Sequence, residues 1–332
     1  GQSSAPKLFS YAAPEITSVS PVNGTTAGGT RLTINGSNFG LSPVVRLGSV
    51  PLSLVLATHN QLQVDTPPGE GTALPLTVEV GGQVSNSFSY FYDPPLVTSI
   101  SPATASTSGG TVITLIGSNF GLSPSVTFGG SSVSPLLTNS HNAITFAAPP
   151  GQGMGIPVVV TVAGQSSAPK LFSYAAPSLT SISPANGPTS GGTLITLTGS
   201  NFGLSPNVTI GGKSAPLAGP PNHTLLTVTL PSGVGANLPV VVSVLGRTSN
   251  SIAFSYNPPL ISSVSPASGP VSGGTIITIQ GSNFGPNSNV TIGGRPAPLS
   301  APASDTTILC TLPAGSGQNK PVIVISAGQV SN

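Results

Sequence analysis

The sequence repeats itself, and the period fixes the size of whatever folds. A Ser-Pro pair recurs with its proline at Pro21, Pro102, Pro184 and Pro266, at spacings of 81, 82 and 82 residues. Gly-Gly-Thr follows each pair, starting at Gly28, Gly109, Gly191 and Gly273. Gly-Ser-Asn-Phe-Gly comes next, at 36–40, 117–121, 199–203 and 281–285. Units close on an aromatic-x-Tyr run ahead of a proline: Tyr90-Phe91-Tyr92 before Pro95, Phe172-Ser173-Tyr174 before Pro177, and Phe254-Ser255-Tyr256 before Pro259. A chain with this period cannot build one large core. Each unit must bury its own apolar residues and lean on its neighbours. A unit of about 82 residues is small but sufficient for that.

Inside a unit the apolar period is two. Leu194-Ile195-Thr196-Leu197-Thr198 and Ile276-Ile277-Thr278-Ile279-Gln280 are β-branched runs bounded by glycine. Pro239-Val240-Val241-Val242-Ser243-Val244 is another, with equivalents at 157–162 and 321–325. No stretch carries a convincing helical period. Short strands with turn signals every 8–12 residues predict an all-β sandwich in each unit.

The opening Ile182-Ser183-Pro184, the Gly191-Gly192-Thr193 turn, the Gly199-Ser200-Asn201-Phe202-Gly203 segment and the closing Phe172-Ser173-Tyr174 together resemble the IPT/TIG family. The resemblance covers all four units. It implies tandem immunoglobulin-like, early-set β-sandwiches, with units at 14–94, 95–176, 177–258 and 259–332. It leaves function open, because one fold serves many roles.

The two ends are out of phase with the units. Gly1 to Pro14 reads the same as Gly164 to Pro177, so residues 1–13 are expected to be a closing strand of a preceding or neighbouring domain. Gly328-Gln329-Val330-Ser331-Asn332 matches Gly82-Gln83-Val84-Ser85-Asn86, and the fourth unit lacks its own aromatic-x-Tyr strand. Two explanations fit: a slice of a longer array, or a strand passed from one molecule to the next. Either way Phe9 and Tyr11 are the candidate assembly residues, matching Phe172 and Tyr174. The links between units are short, and two contain Pro-Pro, at Pro94-Pro95 and Pro258-Pro259. Proline fixes φ, so the expectation is a semi-rigid array.

Composition excludes several function classes. Charged residues are 4% of the chain, with 8 Lys+Arg against 6 Asp+Glu. Eight scattered cations cannot neutralise a run of phosphates, so no nucleic acid is expected as a partner. Cys310 is alone, so there is no disulfide framework. No apolar run reaches 18 residues, so no membrane span is expected in this segment. Low charge with a mean hydropathy of +0.31 is also unlike a disordered chain.

Candidate sites read as structural. His59, His141 and His223 are one position, with Asp305 as its fourth copy, and they sit on separate units. They read as polar turn residues rather than metal ligands. The six acids show no calcium spacing, and Asp65 and Glu70 flank a Pro-Pro-Gly turn and look solvated. No Ser-His-acid triad is visible, so no catalytic, cofactor-binding or metal residue is assigned and no enzyme is expected. Cys310 corresponds to Val64, Phe146 and Val228, which marks a core position. Tyr11, Tyr92, Tyr174 and Tyr256 are one repeated closing-strand position, expected to pack at the sandwich end near the domain joint. Asn38, Asn119, Asn201 and Asn283 read as left-handed turn residues, with Phe39, Phe120, Phe202 and Phe284 as anchors. Asn-x-Ser/Thr occurs at Asn23, Asn35, Asn207, Asn222 and Asn289, the candidate N-glycosylation positions.

The expectation for function is a structural segment of an extracellular filament, stalk or sheath. Its partners would be copies of itself or adjoining repeats, head to tail. The alternative is the ectodomain of a cell-surface adhesion receptor or adhesin that binds a protein or glycan. Both place the chain outside the cell or on its surface.

Overall fold

The alternating runs become strands. In the computed structural model, which describes residues 1–332, each of the four repeats is a pair of packed sheets. The third repeat shows the plan. One sheet has the order Ser178–Ser183, Leu194–Ser200, Leu225–Thr229, all antiparallel. The other runs Asn186–Gly187, Ile252–Tyr256, Leu238–Val244, Asn207–Ile210, Lys213–Ser214. Its first pair is parallel, and the rest are antiparallel.

The register puts every second side chain between the sheets. Ile195 stands opposite Val228 and Leu197 opposite Leu226. All four are buried, with Val240, Val242, Phe202, Phe254 and Tyr256 packed among them. The equivalent strands of the other repeats, Arg31–Ser37, Val112–Ser118 and Ile276–Ser282, bury the same alternate positions. Cys310 is one of these: it pairs across from Ile277, is fully buried, and has its thiol pKa raised by burial.

The Gly-Ser-Asn-Phe-Gly segment ends that strand. Its first glycine is required, because a Cβ on Gly199 would collide with the Ser178 carbonyl oxygen of the adjacent strand. Asn201 then takes a left-handed φ of 59°, as Asn38, Asn119 and Asn283 do at 62°, 60° and 60°. That turn drives Phe202 into the core with no exposure.

The chain divides into two units. One holds 1–105, 109–149 and 154–173, and so most of the first two repeats. The other holds 106–108, 150–153 and 174–332. Three repeats depart from the plan. The first has a five-residue edge strand, Ser53–Ala57, beside Gln61–Asp65. The second has only Thr138–Asn139 there, and the third and fourth have single bridges. In the fourth repeat the second sheet is Arg295–Pro296, Asn289–Ile292, Val322–Ser326, Gln329–Val330, without a closing strand. Residues 1–13 take no strand in the single chain, and Phe9 and Tyr11 are 81% and 83% exposed. No helix is long and apolar enough to cross a membrane.

Candidate functional site

One set of polar side chains that recurs at the repeat period gathers at the junction where one repeat meets the next. Each closing strand ends on a buried tyrosine. Tyr92 and Tyr256 donate their hydroxyls to the carbonyls of Pro67 and Pro231 at 2.8 and 2.6 Å. Burial raises the pKa of Tyr92, Tyr174 and Tyr256, that of Tyr92 to about 12, with the neighbouring Tyr90 adding to it. A glycine makes room for each ring: a Cβ on Gly69, Gly151 or Gly233 would run into it.

The backbone just past that tyrosine is clasped by the following repeat. Gln165 Nε2 donates to the Tyr92 carbonyl at 3.0 Å, and Gln329 Nε2 to that of Tyr256 at 2.8 Å. Arg247 plays this part for Tyr174. Two residues on, Asn119, Asn201 and Asn283 donate from Nδ2 to the carbonyls of Pro94, Ala176 and Pro258. The same clasp holds the N-terminal segment. Gln83 donates to the Tyr11 carbonyl at 3.1 Å and Asn38 to that of Ala13 at 3.0 Å. Residues 11–13 therefore sit on the first repeat as a linker sits on the next repeat at each junction.

The asparagines have a second role that the sequence reading missed. Their Oδ1 atoms accept the N–H of a buried threonine in the preceding repeat: Asn119 from Thr26, Asn201 from Thr107, Asn283 from Thr189. These threonines are 1%, 1% and 4% exposed. Their hydroxyls meet the histidine position. Thr26 Oγ1 lies 3.0 Å from His141 Nδ1, Thr107 Oγ1 lies 2.9 Å from His223 Nδ1, and Thr189 donates to Asp305. His141 and His223 do sit in turns ahead of a strand, and each also closes a latch onto the repeat before it. A backbone N–H and a hydroxyl taken from water are satisfied here by partners about a hundred residues away in sequence.

Reading Glu70 as solvated is corrected: it is half-buried, and its Oε2 accepts the N–H groups of Leu122 and Ser123 at 2.7 and 3.1 Å. Gln152 does the same for Leu204 and Ser205 at 2.6 and 3.0 Å. At the third junction the position is Val234, which lies against Gly285, and the leucine is replaced by Pro286. Proline has no N–H, so the acceptor and one donor are lost together. Asp65 is paired rather than free: Arg31 approaches both its oxygens at 2.9 Å, which lowers the carboxyl pKa.

In the fourth repeat a groove of about 730 Å³ opens beside Val264, Ile277, Ile292, Leu312, Gly315 and Val322. Gly315 corresponds to Gly233, whose Cβ would meet the Tyr256 ring; at Gly315 the nearest atom would be the Pro313 carbonyl oxygen, at 4.0 Å. Phe9 and Tyr11 lie at the opposite end of the sequence, ring to ring at 5.2 Å and edge-on, as Phe254 and Tyr256 do at 5.3 Å. Of the sequons, Asn23, Asn207, Asn222 and Asn289 are exposed and Asn35 is half-buried. Asn23 and Asn35 spend their amide nitrogens on Asp93 and Ser18.

The four repeats match the IPT/TIG domain at residues 14–92, 95–174, 177–256 and 259–332. The chain belongs to the IPT/TIG domain family. Human Fibrocystin-L is 27% identical over 307 residues, covering 84% of this chain but only 7% of that protein. The IPT/TIG array thus spans a small part of the length of this relative. Among solved structures, one crystallised with a xylogluco-oligosaccharide is 16% identical with a TM-score of 0.43, over 93% of this chain and 91% of that one. The Plexin A4 extracellular region is 16% identical with a TM-score of 0.27, over 92% and 34%.

Proposed function

We propose that the chain is a non-catalytic segment of an extracellular or cell-surface array, a spacer or filament element built from IPT/TIG repeats joined head to tail. The observation that carries this reading is the junction. The same positions supply latch and clasp at every junction, and the cradle at the first two, so one recurring set of polar residues serves repeat-to-repeat packing. Phe9 and Tyr11 act, in this reading, as the closing strand of the repeat that abuts the first one. Burying two aromatic rings there is worth roughly 3–5 kcal/mol for each by truncation. The test is pulling on the chain by its two ends. Repeats should unfold one at a time at similar forces, and a single unfolding step for all of them would contradict the reading.

One observation favours the adhesive alternative. The edge strand Ser53–Ala57 of the first repeat leaves Leu54, Val55 and Leu56 40%, 47% and 39% exposed, and no other repeat has its like. An apolar edge with free backbone groups is a template for strand addition. Beads coated with the chain, offered protein and glycan panels, decide between the readings. Specific capture lost in Leu54→Glu/Leu56→Glu supports the adhesive one, and no capture supports the spacer.

A further inference from the structure

Each repeat has an outgoing end, carrying the threonine and cradle positions, and an incoming face, carrying the asparagine, the Leu-Ser amides and the histidine position. Along the chain the outgoing pairs are Thr26 with Glu70, Thr107 with Gln152, Thr189 with Val234, and Val271 with Ser316. The incoming sets are Asn38, Leu41, Ser42 and His59 in the first repeat; Asn119, Leu122, Ser123 and His141 in the second; and Asn201, Leu204, Ser205 and His223 in the third. In the fourth they are Asn283, Pro286, Asn287 and Asp305. The pairs change together. Where two amides are offered, Glu70 or Gln152 accepts them; where Pro286 removes one, Val234 stands opposite.

The first repeat's incoming face has the full polar set. Its clasp already holds Tyr11 and Ala13 as the other clasps hold their linkers. Leu41 is 90% exposed, against 56% and 54% for Leu122 and Leu204, the same position with a repeat packed on it. We infer that this face, Asn38, Leu41, Ser42 and His59, receives the end of an IPT/TIG repeat that presents threonine at the latch and glutamate or glutamine at the cradle. It does not receive an end of the Val271–Ser316 kind. Val271 is 72% exposed and has no hydroxyl for His59, and Ser316 is too short to reach both amides. A donor or acceptor buried without its partner costs far more than a made bond returns. The array therefore has an order, and the outgoing end of the fourth repeat is the wrong neighbour for the incoming face of the first. The inference rests on the array reading above and adds which neighbour fits.

The identity of residues 1–13 with 164–176 permits a clean test. Residues 95–163 placed directly before Gly1 of the full chain create a new junction from Thr107 and Gln152. Residues 259–327 in the same place create one from Val271 and Ser316. Amide hydrogen exchange at Leu41 and Ser42 is then read, with Leu122 and Ser123 as internal reference. Exchange should slow about tenfold in the first fusion, the order expected for one made hydrogen bond, and stay within about twofold of the parent in the second. Val271→Thr/Ser316→Gln in the added segment should bring the second up to the first, which also guards against a misfolded segment. Equal protection in both fusions overturns the inference. So does no protection in either while Leu122 and Ser123 stay protected. If the reference amides are themselves unprotected, the array reading falls with it.

Discussion

Thr26→Val isolates the latch. The substitution keeps shape and removes one hydroxyl from a side chain that is 1% exposed. That hydroxyl meets His141 Nδ1 at 3.0 Å and receives the Gly121 N–H at 3.3 Å; both partners belong to the second repeat. The Thr26 N–H to Asn119 bond is untouched. Losing one good and one long hydrogen bond, with two partners left unsatisfied, should weaken the junction by about 1–2 kcal/mol. The core of the first repeat loses nothing, since Leu32, Ile34 and Leu76 pack elsewhere in the sandwich. Repeat stability and junction stability are separate contributions in such arrays. Residue-resolved hydrogen exchange measures both at once. The Gly121 amide should exchange about five to thirty times faster, while the strand amides of Leu32 and Ile34 hold their rates. If strand amides lose protection equally, Thr26 is a core residue and not a latch. An unchanged Gly121 would refute the argument outright.

Three further outcomes follow from single side chains. The Tyr90 hydroxyl is buried without a hydrogen bond, with Thr30 and Thr66 close but out of geometry, where the second and third repeats carry Phe172 and Phe254. Tyr90→Phe should therefore leave the melting temperature unchanged or raise it, by up to about 1 kcal/mol of stability, and a clear loss in a thermal melt would contradict this. Burial holds the tyrosine hydroxyls protonated in the fold, with Tyr92 at about 12, while the unfolded chain ionises near pH 10. The tyrosine contribution to stability should be flat with pH below about 10 and fall between about 10 and 12, by up to about 2 kcal/mol for Tyr92, in denaturant titrations of Tyr92→Phe against the parent stepped through that window, a comparison that cancels the loss the buried Cys310 thiol adds above about pH 9; a rise would break the assignment. In a eukaryotic secretory host, peptide mass spectrometry should find glycans at Asn207, Asn222 and Asn289 rather than Asn35, whose amide is engaged with Ser18, and occupancy at Asn35 alone would reverse that ranking.

Much of the fold was legible because the signals are local. The Leu194–Thr198 and Pro239–Val244 runs became Leu194–Ser200 and Leu238–Val244, since period-two burial is written into consecutive residues. Cys310 was placed by its counterparts in the other units, and the Asn-Phe-Gly turn by its residue types. The junction was not legible in the same way. Thr26 and His141 are 115 residues apart, and Glu70 and Leu122 are 52 apart, so neither pattern nor propensity links them. Asn119 was read for the φ it tolerates, and its side chain's two further bonds were invisible. The available signal was paired change: Val234 arrives with Pro286, where Glu70 and Gln152 face Leu-Ser. Comparing repeats with one another, position against position across the junction, would have found it.

The central claim is that side-chain latches fix one repeat against the next. Residual dipolar couplings from the first and second repeats test it most directly, because most of both repeats and the Thr26, Asn119 and His141 latch between them lie in one unit of the structure. Backbone couplings from 14–92 and 95–174 in one aligned sample should fit a single alignment tensor. In Thr26→Val/Asn119→Ala they should separate into two tensors of different magnitude. Two unequal tensors in the unaltered chain would show that the repeats reorient freely, and the latch would then have no structural role.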